Sequence, residues 1–155
     1  MADATVEKIL DRQEILDTIT RLFVGTDRRD WIQVESCLAE KVTLDMTSLA
    51  GGQPMQMSSV QVAQGWKDGL RLIDHVHHQV SNFEVTIAGD EASASCYGIA
   101  FHHRMVNTPD NIRTFVGTYL IHLIRTNPGW KIDRFRYDSK FVAGNPELES
   151  ATARS

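Results

Sequence analysis

Apolar residues recur with the period of a helix in the first part of this chain and with the period of a strand in the second, and the change falls near Asp74. Between Val6 and Asp27, residues Ile9, Leu16, Ile19 and Phe23 fall on one face with Ile15 and Leu22 beside them, which predicts an amphipathic helix. After Gly25 a shorter helix is expected from Asp30, because a capping carboxylate with Gln33 three residues on precedes Val34, Cys37 and Leu38. Val42 to Thr47 alternates as a short half-buried strand, and a loop through Gly51, Gly52 and Pro54 follows. Ser58 with Gln61 opens a third helix that would turn Val60, Ala63, Trp66, Leu70 and Ile73 toward a core.

Beyond Asp74 the pattern has period two. Val76, His78 and Val80 share a face, while Phe83, Val85 and Ile87 share a face shifted by one residue, so a β-bulge is expected near Ser81 and Asn82. Turns at Gly89-Asp90, at Asn107 to Asp110 and at Thr126 to Gly129 separate strands expected over Ala92 to Val106, Arg113 to Arg125 and Trp130 to Tyr137. Helices first and a four-strand meander after predict an α+β fold, a bent antiparallel sheet whose concave side the N-terminal helices cover.

At 155 residues the chain has room for a single domain, expected over 1–141, with 142–155 as a tail that is loosely ordered or packed on a neighbouring subunit. Lys plus Arg number 16 against 20 Asp plus Glu, a net charge of −4, and no basic stripe is interleaved with aromatics, so nucleic acid is not an expected partner. The first seven residues hold neither a basic n-region nor an apolar h-region, and no segment has the ~20 apolar residues of a membrane span. Cys37 and Cys96 stand far apart, as buried thiols of a reducing compartment would; the expected location is the cytoplasm.

Five polar residues interrupt this apolar pattern. Asp27 follows Phe23 by four residues, which puts a carboxylate on the apolar face if the first helix persists to that turn; if the helix stops at Gly25, Asp27 is a solvated loop residue. His78 stands on an apolar strand face just before the inferred bulge, either as a core histidine bonded to a carbonyl or as the partner of Asp27 in a His–Asp dyad. His102 shares a face with Gly98 and Ala100, small residues that either leave volume for a ligand or admit a close-packed helix. Arg134 and His122 lie on later strands from which they could reach the same space.

Gly69, His75 and His77 open a cupin-like metal spacing, but the glutamate and the second half of that motif are missing, and His75 and His77 alternate onto the face opposite His78. No metal is therefore expected. There is no G-x-S-x-G elbow, no G-x-G-x-x-G and no phosphate-binding loop, so neither a nucleophilic serine nor a nucleotide cofactor has support, and no cofactor is expected.

Thr26 to Trp31 at the first helix end, the helix opening at Ser58, the run His78-Gln79-Val80-Ser81-Asn82, Gly89-Asp90 with Ala92, and Gly129-Trp130-Lys131-Ile132 together resemble the SnoaL-like branch of the nuclear-transport-factor-2-like (NTF2-like) superfamily, nearest to its scytalone dehydratase and hexachlorocyclohexane dehydrochlorinase group. The resemblance runs from Val6 to Phe141. It implies a cystatin-like cone, with N-terminal helices on the concave face of a strongly bent antiparallel sheet. It also implies a catalytic dyad of His78 and Asp27, and a ligand cavity including His102, Phe23, Trp66, Gly98 and Ala100, with Arg134 aligned loosely to the dehydrochlorinase arginine. The pattern departs where scytalone dehydratase has a tyrosine and this chain has Thr26. The activity implied is a cofactor-independent lyase or isomerase on a small, apolar, cyclic molecule. The other reading is a non-catalytic ligand-binding or oligomerisation module, and either would form a homodimer or homotrimer through a convex face bearing Tyr97, Ile99 and Phe101.

Overall fold

The first helix carries its buried stripe on Ile15, Thr18, Ile19, Leu22 and Thr26, so in this computed structural model, which describes residues 2–151 and the side chains of 5–151, the stripe is rotated from the expected one. Ile9, placed by periodicity on the core face, is 62% exposed. The reason lies in Asp11, whose carboxylate takes both Arg125 guanidinium nitrogens at 2.7 Å and the Trp130 indole N–H at 3.1 Å. That polar clasp on the turn between Arg125 and Trp130 fixes the helix rotation, and the Arg125 hydrogen bonds hold the Asp11 carboxyl below its usual range.

Helix α1 spans Ala2–Arg28, α2 Trp31–Cys37, β1 Leu38–Asp45, α3 Thr47–Ala50, β2 Met55–Ser58 and α4 Ser59–Gly69. The strands β3 His75–Ala88, β4 Glu91–His103, β5 Ile112–Arg125 and β6 Trp130–Gly144 complete the chain. Asp30 caps α2 by accepting the Gln33 N–H at 3.0 Å, although the Gln33 amide bonds Arg21 O at 2.8 Å rather than closing a box. Ser58 and Gln61 make the full reciprocal box at α4. Helix α4 stops at Gly69, so Ile73 is buried from a loop and not from the helix. The short β2 and α3 fall where a loop was expected, because Gly51, Gly52 and Pro54 break the apolar periodicity that would have signalled them.

The six strands form one sheet in the order β2-β1-β6-β5-β4-β3. The meander β3 to β6 is antiparallel throughout, and the single parallel contact is β1 against β6. The register shifts between Ser81 and Glu84, with Asn82 at φ 57°, which is the bulge that the phase slip predicted. Helices α1, α2 and α4 cover one face, and Ile15, Ile19, Leu22, Val34, Leu123, Trp130 and Ile132 are sealed between them and the sheet.

The expected boundary at residue 141 falls inside β6. Gly144, at φ 86° and placed so that a Cβ would lie 2.2 Å from Ile112 O, turns the chain back. Leu148 is then fully buried against Ile73, Val76 and Val106, while Arg104 donates to the carbonyls of Leu148 and Glu149 at 2.9 and 2.8 Å. Residues 145–151 are thus seated on this protomer's own body.

Candidate functional site

Asp27 is the penultimate residue of α1, and the helix end abuts β3 at the rim of the sheet. An edge strand has outward main-chain groups that need partners. The Asp27 carboxylate fills that need twice at one residue: Oδ2 accepts the His78 main-chain N–H at 2.8 Å, and Oδ1 lies 2.6 Å from His78 Nδ1. Both side chains are largely buried, and the imidazole lies beside the Phe23 ring at 5.1 Å between centroids. With Nδ1 held by the carboxylate, Nε2 is the ring nitrogen left for chemistry.

His78 borders a cavity of about 250 Å³ walled by Phe23, Trp66, Leu70, Met46 and Phe135, with His102 and Tyr119 as its other titratable groups. The loop closing it after α4 is tied to the end of α1 by Arg29, a left-handed residue whose guanidinium donates to Leu70 O at 3.0 Å and to Ile73 O. His102 stands on β4 with its Nδ1 buried and without a hydrogen-bond partner among the described residues. Burial lowers its pKa from the ordinary 6.5 to about 4, against the opposing pull of the Glu149 carboxylate, so it is a neutral imidazole at physiological pH.

Gly98 and Ala100 do not line the 250 Å³ cavity. A Cβ on Gly98 would lie 2.1 Å from Tyr119 Cε2, and one on Gly117, its register partner, 2.5 Å from Tyr137 Cε2. The bare backbone is filled by two tyrosine rings of the protein itself, 5.0 Å apart between centroids. Ala100 is buried opposite His78 in the β3–β4 ladder and supports that strand rather than lining the cavity. Gly98 does border a second, larger depression of about 720 Å³, which His78 and Phe23 also line and which reaches Lys140.

Tyr119 is the cavity residue that the sequence did not single out. Its signal was indirect: a tyrosine two positions after Gly117, on the strand neighbouring Gly98. Burial, then the nearby Tyr137, Cys96 and Asp27, raise its pKa, which keeps the hydroxyl protonated as a donor. No hydrogen bond joins that hydroxyl to another described residue.

Arg134 is not part of this site. Its side chain is 67% exposed on the opposite face, in a groove with His122, Glu84 and Arg136, because the bulge at His122/Leu123 and Asp133 turns that stretch of β6 outward. His122 has its own carboxylate, Asp133 Oδ1 at 2.6 Å. His75 and His77 also face outward, stacked on His103 and Phe101. Among the described residues no cluster of three or more His, Cys, Asp or Glu is spaced to hold a metal ion. Burial raises the Cys37 thiol pKa and pushes Cys96 up to about 12, so neither is a thiolate at neutral pH. No helix among the described residues is long and apolar enough to cross a membrane.

A family model described as a SnoaL-like domain matches residues 7–136. Among solved structures, a protein from Kribbella flavida superposes with a TM-score of 0.88 at 21% identity, covering 93% of this chain and 99% of that one. A candidate scytalone dehydratase from Novosphingobium aromaticivorans gives 0.77 at 13% identity over 100% and 99%. The hexachlorocyclohexane dehydrochlorinase LinA-type3 from Novosphingobium barchaimii gives 0.76 at 11% over 92% and 94%. At these identities the likeness carries the fold. No curated protein matches the sequence.

Proposed function

The chain belongs to the SnoaL-like domain family of the NTF2-like fold, and from that premise we propose that it is a cofactor-independent lyase or isomerase acting on a small, largely apolar, cyclic molecule. The observation that supports this most is the Asp27–His78 contact of 2.6 Å on a cavity wall otherwise made of aromatic and aliphatic side chains. Asp27 accepts the Nδ1 proton and fixes the tautomer, and Nε2 withdraws a proton from a carbon of the bound molecule. The electron pair of that C–H bond then forms a double bond. In an elimination it expels a hydroxyl or halide from the adjacent carbon; in an isomerisation it moves onto a carbonyl oxygen, and the proton returns to another carbon. The Tyr119 hydroxyl is the donor available to a developing negative charge on oxygen or halide, and the dry wall strengthens that hydrogen bond.

The test is a panel of small cyclic hydroxy ketones and halogenated rings, with products followed by mass spectrometry. Wild-type protein is expected to convert at least one class, and His78→Ala to lose about 10²–10⁴-fold in kcat. Asp27→Asn should lose a comparable factor while keeping the fold, because an amide can present its N–H to Nδ1 and reverse the tautomer. Turnover unchanged in His78→Ala would overturn the proposal. The apolar wall itself favours a second reading, a binding module, and ligand retained by the wild type with no conversion of any panel member would select it. We further propose a homo-oligomer working in the reducing cytoplasm, where Cys37 and Cys96 stay free.

A further inference from the structure

The C-terminal turn brings one more carboxylate up to a residue of the cavity wall, His102. Glu149 follows the fully buried Leu148, and its main chain is held by Arg104, itself 9% exposed. Its side chain lies between two residues: Oε2 accepts from Arg113 Nη1 at 3.1 Å, and Oε1 is 3.9 Å from His102 Nδ1. That last distance is about an ångström beyond a hydrogen bond. It leaves a buried ring nitrogen unpaired and facing a carboxylate, with no other partner among the described residues.

We propose that Glu149 is a positioning residue for His102: it holds the proton on Nδ1, so that Nε2 meets the cavity as a hydrogen-bond acceptor and takes a hydroxyl group of the bound molecule. The inference rests on the reading of this cavity as the substrate site and adds to it the class of substrate, an apolar ring bearing a hydroxyl. An unpaired buried N–H or lone pair is costly, and a small inward movement of a side chain on an anchored turn removes that cost. The charged and titratable groups facing His102 are His78 from β3, Arg113 from β5 and Glu149 from the C-terminal turn; of these only the carboxylate favours an N–H at Nδ1. The neutral state of His102 is what an acceptor requires. The cavity would then hold two imidazoles backed by carboxylates, Asp27 behind the base and Glu149 behind the acceptor.

Imidazole ¹⁵N shifts of the full chain at neutral pH read the tautomer directly. His102 is expected as the Nδ1–H form in the wild type. Glu149→Ala, which keeps the main-chain bonds to Arg104, should return it toward the Nε2–H form that dominates in unconstrained imidazole, and Glu149→Asp should recover part of the Nδ1–H signal. Phenol is expected to shift the Nε2 resonance and to bind about fivefold more tightly than anisole, the worth of one hydrogen bond. A wild type already in the Nε2–H form, or a tautomer unmoved in Glu149→Ala, overturns the role of Glu149. Equal binding of phenol and anisole, or none of either, overturns the hydroxyl. None of these readouts depends on turnover, so failure of His78 as a base would show separately, as activity retained in His78→Ala.

Discussion

A single carboxylate at a helix end can serve as structure and as chemistry when it meets both a main-chain N–H and a ring nitrogen of one residue, as Asp27 does at His78. The main-chain bond fixes the strand edge relative to the helix, and the side-chain bond then has no freedom left in which to lose its geometry. The same economy governs Gly98 and Tyr119. Because a methyl at Gly98 would lie 2.1 Å from the ring, Gly98→Ala is expected to push Tyr119 toward the cavity and to cost about 1–3 kcal/mol, read as a lower denaturant midpoint at unchanged m-value. A variant as stable as the wild type would mean that the ring has another place to go. Small residues on a strand face could be read in the sequence; what filled the space above them could not, since the ring comes from a residue 21 positions away across the ladder.

Among the elements, the helix starts were more legible than the rotations. Ser58 and Gln61 identify the start of α4 because a capping box is a local bargain between residues three apart. Ser58→Ala should therefore cost about 1 kcal/mol, measurable as a loss of thermal stability with the cavity residues unmoved. The bulge at Ser81–Glu84 was likewise legible as a phase slip. The rotation of α1 was not, since it depends on Asp11 meeting Arg125 and Trp130, more than a hundred residues later. The same dependence on distant contacts carried α1 through Gly25 to Arg28: Arg29 grips the loop after α4 and Asp27 grips β3, so the last turn has partners that local sequence does not contain.

Across the whole molecule, one sheet face is covered by helices and the other is bare. On the bare face Ile99, Val116 and Phe141 stand in register across three strands, with Phe141 57% exposed and Tyr97 beside them at 53%. On a continuous apolar row of this kind we propose self-association, with a second copy of the chain as the occupant. Sedimentation velocity at micromolar concentration is expected to show a dimer or trimer that Phe141→Lys dissociates, while a monomeric wild type would end that expectation. The outward groove of His122, Asp133 and Arg134 belongs to this bare face, which is why an arginine in phase with an inward isoleucine does not reach the dyad.

The sequence by itself determined the α+β class, the order of the meander strands, the bulge and the helix starts at Asp30 and Ser58, and it singled out Asp27 and His78 as candidate partners, because each is written in spacing over a few residues or in a polar group placed where only a partner would make it tolerable. Tertiary structure alone decided the parallel pairing of β1 with β6, the face that Arg134 takes, the tyrosine over Gly98 and the return of Glu149 to His102. These are contacts between residues distant in the chain. Their free energy comes from burial and from partners that the fold brings together, and no local pattern encodes it.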